Sequence, residues 1–432
     1  MKKHILSLLI LGTTLGITSC GPKEVEVVQT PEIQVEDNKE VEDNKEVEVE
    51  IEVKEMTNHE RAFAIADKIY AENQSNIMFS PTSLNLALGM VEEGSTDISE
   101  KELNKFLTTE DFNRRASELM QMAKDRTIDN QDDKWNSFRT MLQISNSIWL
   151  NDKYTIKDNY KEKVANTYDA QVENVSFDAE NIKETANKIN GWCNEKTYEM
   201  IPTIVREDQL SPETVSVLVN TVYFESPWMG EWNETSDTTE FNGFDNNYEV
   251  EFIRNHDTGS YYKTEDFEAF SARYMNGLDF IGILPVKEGD FNLSDINLED
   301  LLNNRVDKYD EVIATMPKLN FETNIENLVE IMKDQGVKTV FDPNTATINE
   351  IVEPINGDSL YISDIIQKTK IELDEKGTKA AAATAIIMME NTAFIEEETN
   401  TVEITLDRPF AFVIYDRNTD EAIFVGKVVN FE

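Results

Sequence analysis

Few side chains in this sequence could carry out covalent chemistry. Beyond the N-terminal leader there are two histidines, His59 and His256, and neither lies in an HExxH pattern or beside a serine or cysteine nucleophile motif. The chain has no GxSxG elbow, no phosphate-cradling glycine loop and no paired CxxC. With 84 acidic residues, any chosen carboxylate pair carries little information, and a solvated surface accounts for nearly all of them. The chain is therefore not expected to be an enzyme, and no cofactor or metal is expected. One stretch stands apart, EKGTKAAAATAIIMMENTAF at 375–394. Its four alanines favour helix, whereas Gly377, Thr378 and Thr384 punctuate the run and Ile386 and Ile387 favour strand.

The elements that must position this stretch can be read from the rest of the chain. The 432 residues are 40% apolar, enough for a large core. Residues 58–71 carry a helical apolar stripe at Ala62, Ile65, Ile69 and Tyr70. Ser99 with Glu102 forms a capping-box pattern that would open a second helix. Leu142, Ile144, Ile148 and Leu150 alternate around Asn146 as in a half-buried strand, and SVLVNTVYF (216–224) reads as a central buried strand. Within it Asn220 needs hydrogen-bond partners. Residues 325–335 look helical up to Gly336, and 409–415 with 422–429 form a hairpin. Helices dominate the first half and strands the second, which predicts an α+β fold.

The N-terminus begins with Lys2 and Lys3 and an apolar stretch over 5–15, a signal peptide too short to span a membrane. It ends in ITSCG (17–21), which resembles a bacterial lipobox, where cleavage precedes a cysteine that takes a diacylglycerol. Residues 1–19 are thus expected to be removed and Cys20 to be lipidated. Several acyl chains anchor stably where one does not. The expectation is export and a lipid anchor in a bacterial membrane, at the outer membrane or cell surface. Residues 20–56 include the repeat VEDNKEVEDNKE and read as an acidic, disordered tether, leaving 57–432 as the folded domain. Only Cys193 remains besides Cys20, so no intrachain disulfide is expected, and Cys193 beside Trp192 reads as a small buried apolar side chain.

The net charge of −44, uninterrupted by any Lys/Arg cluster, argues against nucleic acid and heparin-like polyanions as partners. A monomer is expected. The tether holds 13 acidic and 4 basic residues, so most of the charge belongs to the body. It would favour basic partners kinetically or suit a saline habitat.

Five stretches then converge: NIMFSPTSLNLALGM (76–90), VNTVYFESPW (219–228), MPKLNF (316–321), LDEKGTKAAAATA (373–385) and LDRPFAFVIY (406–415), followed by a GxVxNF-like tail at 426–431. In order and spacing they resemble the serpins from about residue 58 to the end. The resemblance implies the serpin fold: one α+β domain of three β-sheets and eight or nine helices, with an exposed reactive-centre loop near the C-terminus. It also implies a suicide inhibitor of serine, or alternatively cysteine, endopeptidases. The protease cuts the loop and forms an acyl-enzyme, and the N-terminal part of the loop inserts as a new strand in the large sheet.

The residues are compatible with that implication. In an inserted strand Thr378, Ala380, Ala382, Thr384 and Ile386 face one side, and Lys379, Ala381, Ala383, Ala385 and Ile387 the other. The first set is small and uncharged, and Lys379 stays toward solvent, since a buried unpaired charge costs several kcal/mol. By resemblance the hinge is Glu375, Gly377, Thr378, Ala380, Ala381, Ala382, Ala383 and Thr384. Trp228 marks the point of first insertion, and Ser80, Ser83, Asn220 and Gln367 match a polar cluster beneath the opening strands. Gln367 stands where many serpins have histidine, so no pH-dependent latch is expected there. Ala411 is smaller than the apolar residue usual at its position. Counting forward from Glu375 and Gly377 by the family's spacing puts the reactive bond at Asn391–Thr392, with Met389 and Glu390 as alternative residues before the cut and Phe394–Ile395 as a chymotrypsin-like alternative. Counting back from Pro409 reaches Glu398–Thr399 instead. No Arg or Lys lies between Lys379 and Arg408, which disfavours trypsin-like targets. The competing reading is a non-inhibitory surface carrier or binding lipoprotein of the same fold, in which charged or bulky residues often occupy the hinge.

Overall fold

The computed structural model describes residues 51–108, 111–130, 138–235, 239–256, 258–354, 360–378 and 400–431. They belong to one compact unit, Val49–Glu432. The helix Asn58–Asn73 begins at a complete capping box: Thr57 Oγ1 accepts from Glu60 N, and Glu60 Oε2 accepts from Thr57 N at 2.8 Å. Pro81–Glu93 has Ser80 as its N-cap and proline in its first turn, and ten of its residues are buried.

Among the described residues there are eight α-helices, three larger sheets and a two-stranded ribbon. The largest sheet runs in the order Leu319–Ile325, Asp364–Asp374, Gly377–Thr378, Ser216–Pro227, Arg139–Asn151 and Ile128–Asp129, with Gln171–Val175 lying parallel along Arg139–Asn151. A six-stranded sheet is built around the hairpin Phe410–Asp416 and Glu421–Val428. The four-stranded sheet pairs Thr401–Thr405 in parallel with Glu311–Pro317. Every residue of Ser216–Pro227 is buried, as its continuous β-branched run predicts. Arg139–Asn151 alternates only over its first residues and is then buried on both faces. The helix Ile182–Lys196 covers that second face, where Trp149, Ile189, Cys193, Val219, Tyr223 and Ile366 form a separate apolar cluster. Burial pushes the Cys193 thiol up to about 12, as expected of an inert packing residue.

Three expectations need adjustment. The second short helix starts at Asp97 after Thr96, so Ser99 lies inside it rather than at its cap. Glu102 does not reach back to the helix start, because its Oε2 accepts from Lys338 N, Thr339 N and Thr339 Oγ1 at 2.8–2.9 Å. A tertiary partner has outcompeted the local motif. Residues 325–335 split, with Ile325 ending a strand and the helix confined to Leu328–Asp334. Residues 51–56, read from sequence as the last part of the tether, lie against the body. Val53 is buried, Arg61 donates to Lys54 O, and Lys338 pairs with Glu52. Gly336 combines φ +96° with close approach, since a Cβ there would sit 2.6 Å from Val53 Cα.

Two half-buried carboxylates give the fold a pH dependence. Burial, reinforced by Glu93 and Glu100, pushes Glu92 up to about 7, and burial pushes Asp364 up to about 6. Both groups bind their protons more tightly folded than unfolded. Their contribution is therefore fully present below about pH 4 and is lost as pH rises through 6 and 7. Glu92→Gln should raise Tm at pH 8 by about 1–3 °C and flatten the change in Tm between pH 5 and 8. Unchanged pH dependence in thermal scans of that variant would refute the assignment.

Candidate functional site

The strands Asp364–Asp374 and Ser216–Pro227 lie parallel at the centre of the largest sheet. They pair directly only at one end, from Asp364↔Val217 to Gln367↔Asn220. At the other end the chain turns back at Glu375 and Lys376 and inserts Gly377–Thr378 between them. Thr378 stands opposite Leu373 on one side and Ser226 on the other, antiparallel to both. The hinge residues thus form the first two positions of an additional central strand.

Gly377 is required by its backbone. Its φ is +147°, and a Cβ would fall 2.3 Å from Ser226 O. The Lys376 N–H donates to Asp374 Oδ1 at 2.8 Å and tightens the turn. Thr378 is 3% exposed and its hydroxyl lies 2.6 Å from the Tyr274 hydroxyl. It therefore faces inward, as the period-two reading requires. Tyr274 is fully buried, and burial pushes its phenol well above the ordinary tyrosine value.

Trp228 clamps the turn from the neighbouring strand end. Its Nε1 donates to Asp374 O at 2.9 Å and its backbone N–H to Lys376 O at 3.0 Å. The indole stacks on Tyr274 with centroids 4.2 Å apart and lies against Trp232. Glu375 is held from the other side by Lys318, 3.2 Å away, which also pairs with Glu251 at 3.0 Å and with Glu234. Burial alone would raise Glu375, but its backbone hydrogen bond and Lys318 outweigh it and hold the carboxyl below its usual range. Burial alone would lower Lys318, but its three carboxylates override it and push the ammonium up.

The polar cluster lies where the two parallel strands meet. Gln367 Oε1 accepts from Ser80 N at 2.9 Å, and its Nε2 donates to Ser80 O at 3.1 Å and Asn220 Oδ1 at 2.7 Å. Ser80 Oγ donates to Ile423 O at 2.7 Å. Gln367 thus ties the capped start of helix Pro81–Glu93 to both central strands. Two parts of the expectation are corrected. Ser83 joins only through its backbone N–H, which donates to Ser80 Oγ, and its own buried hydroxyl has no partner. Asn220 has a partner for its oxygen but none for Nδ2, because Gln367 contributes a single amide edge.

Glu375, Gly377, Thr378 and Trp228 are therefore brought together, with Ser80, Gln367 and Asn220 below them. Ala380, Ala381, Ala382, Ala383, Thr384 and the reactive-bond candidates Met389, Glu390, Asn391, Thr392, Phe394 and Ile395 lie outside the described residues, as does Cys20. Sequence reasoning missed Lys318 and Tyr274. Lys318 carried a faint signal as the lone charge in MPKLNF, while Tyr274 follows its strand Phe267–Arg273 with no distinguishing context.

Comparison with known proteins agrees with this geometry. A family model described as "Serpin (serine protease inhibitor)" matches residues 56–431. An uncharacterized serpin-like protein of Thermococcus kodakarensis is 31% identical, with 84% of this chain and 82% of that protein aligned. Serpin-Z10 of Arabidopsis thaliana is 27% identical, with 83% and 92% aligned. Among solved structures, the thermophilic serpin tengpin in its native state superimposes with a TM-score of 0.70 at 26% identity, covering 89% of this chain and 96% of that one. Thyroxine-binding globulin complexed with thyroxine shares the fold, with a TM-score of 0.69 at 22% identity, covering 86% of this chain and 98% of that one. The fold, the part-inserted hinge and the family match over 56–431 agree, and the chain belongs to the serpin family.

Proposed function

We propose that this serpin is an inhibitor of the suicide-substrate type, trapping a serine endopeptidase, or a cysteine endopeptidase of similar acyl chemistry, as a covalent acyl-enzyme through insertion of residues 377–387 into the large sheet. The observation that carries this reading is Thr378, already antiparallel between the two parallel central strands and buried against Tyr274. Continuing its two registers sets Ala380 between Phe224 and Ile371, Ala382 between Val222 and Thr369, and Thr384 between Asn220 and Gln367. The inward positions fall beside side chains that are already packed, so only small residues fit without overpacking. Lys379 falls on the opposite face between Glu225 and Glu372, where opposite charges in adjacent strands attract.

In this mechanism the protease's nucleophile attacks the reactive-bond carbonyl, the peptide nitrogen leaves with a proton, and an ester or thioester joins protease to loop. The freed strand then exchanges four parallel pairs for two antiparallel ladders, each new ladder bond contributing about 1 kcal/mol net. The absence of basic residues between Lys379 and Arg408 disfavours trypsin-like targets. A lipid on Cys20 would hold the inhibitor at a bacterial envelope surface, the motif ITSCG being the support. Thyroxine-binding globulin binds thyroxine on the same fold, so the fold by itself does not select inhibition over carriage.

Incubation with elastase-, subtilisin- and chymotrypsin-like proteases should yield an SDS-resistant complex and a released C-terminal peptide beginning at Thr392. Clean cleavage with no complex and no rise in Tm of the cleaved chain would instead support a carrier. Thr378→Arg places a charge against Tyr274 and should cut complex yield at least about tenfold while cleavage continues. Undiminished yield would count against insertion. Mass spectrometry of the N-terminal peptide from a bacterial host should find diacylglycerol on Cys20, and an unmodified thiol there would remove the anchor.

A further inference from the structure

A cleft of about 670 Å³ lies on the side of the six-stranded sheet, next to the segment that follows Trp228. In a chain of net charge −44, its lining carries three guanidiniums, Arg273, Arg305 and Arg417, against one carboxylate, Asp279. The Asp279 side chain is 3% exposed and serves two arginines at once. Arg273 Nε donates to its Oδ1 at 3.0 Å, and Arg417 Nε donates to its Oδ2. Arg417 Nη2 also donates to the Tyr262 hydroxyl at 2.9 Å. With Arg273 Nη2 donating to Asp279 Oδ2 at 3.5 Å, these bonds engage Nε and Nη2 of both arginines and hold both guanidinium planes. One carboxylate neutralises only one of the two charges, so the pair retains a positive charge.

Arg305 adds a third cation at the rim, its Nε 2.8 Å from the exposed Asp307. The lining also has an apolar part in Trp232, Leu302 and Met229. Trp232 is buried with its ring against Trp228, and Met229 is 50% exposed, one of four large apolar side chains standing out on the surface among the described residues. A preorganised guanidinium pair suits the two oxygens of a carboxylate or sulfonate. A recess of this size, part cationic and part aromatic, matches the usual architecture of small-molecule sites. An inorganic anion would meet the arginines but leave Met229 uncovered.

We propose that this cleft binds a small amphipathic organic anion, its carboxylate or sulfonate head on Arg273 and Arg417 and its aromatic or aliphatic body on Trp232 and Met229. The proposal does not depend on inhibition of any protease. The test uses the full chain with 1-naphthoate and its neutral counterpart 1-naphthamide, followed by calorimetry and by tryptophan fluorescence, to which Trp232 contributes. Naphthoate should bind at least about tenfold more tightly than naphthamide, as expected of charge-assisted hydrogen bonds to the head. Its affinity should fall several-fold in Arg305→Gln, a largely exposed position where folding is not at stake, and further in the Arg273→Gln/Arg305→Gln double variant, with Tm confirming that both remain folded. Equal affinity for acid and amide, undiminished naphthoate affinity in the folded double variant, or no saturable binding of naphthoate would each overturn the proposal.

Discussion

The geometry that the rest of this molecule serves is a pair of parallel strands joined at one end only. Asp364–Asp374 and Ser216–Pro227 share four pairs at one end, and toward the other their described pairing resumes only through Gly377–Thr378. Parallel pairing is slightly weaker per residue than antiparallel pairing. In the proposed inserted state a strand entering from the turn at Glu375 would be antiparallel to both neighbours, a better arrangement than the parallel pairing it replaces. The present arrangement is held by contacts at its two ends. At the closed end Gln367 links both central strands to the helix that begins after Ser80. At the open end Trp228, Lys318 and Tyr274 fix the turn and the first inserted residue.

The two ends use different physics. The closed end is neutral and hydrogen-bonded, buried where a charge would be expensive. The open end combines aromatic stacking with an ion-pair network around Lys318, which three carboxylates share at partial exposure. Such a network is screened by solvent and weaker than its charges suggest. The open end can therefore yield before the closed one. Gly377 makes this possible, since no other residue could take φ +147° within contact of Ser226 O.

Much of this was legible in the sequence because it rests on local pattern. The continuous apolar run at 216–224 predicted a buried central strand, and small residues at alternating positions after Gly377 predicted which face of Thr378 would be buried. The polar cluster was legible through motif resemblance, although its satisfaction was overestimated for Ser83 and Asn220. The failures share one cause. Glu102, Lys318 and Tyr274 have roles set by partners more than fifty residues away in the chain, at Thr339, Glu375 and Thr378. Local spacing cannot report such a contact, and in the case of Glu102 it suggested a competing one. The same holds for one of the two arginines on Asp279, since Arg417 lies 138 residues away while Arg273 is a local partner.

Several of the buried polar groups without partners lie around the closed end of the parallel pair. Among the described residues, Ser83 Oγ, both side-chain atoms of Asn146, Asn220 Nδ2 and Thr221 Oγ1 are buried and unpaired. Asn146 stands directly opposite Asn220 in the adjacent strand, and Ser83 belongs to the helix start that Gln367 holds. Each unpaired buried group costs about 1–3 kcal/mol. A core built only for stability would have apolar side chains in their place. The group lies at the level where the register of Thr378, continued down the sheet, delivers Thr384 between Asn220 and Gln367. In the proposed inserted state the Gln367–Asn220 bond is separated by a whole strand, and Thr384 arrives with a hydroxyl that can both donate and accept. The amide groups that lose one another there gain a partner in the entering chain. Polarity that weakens the native sheet would then be what accepts the new strand, and the alanines above Thr384 need only be small enough to let it pass.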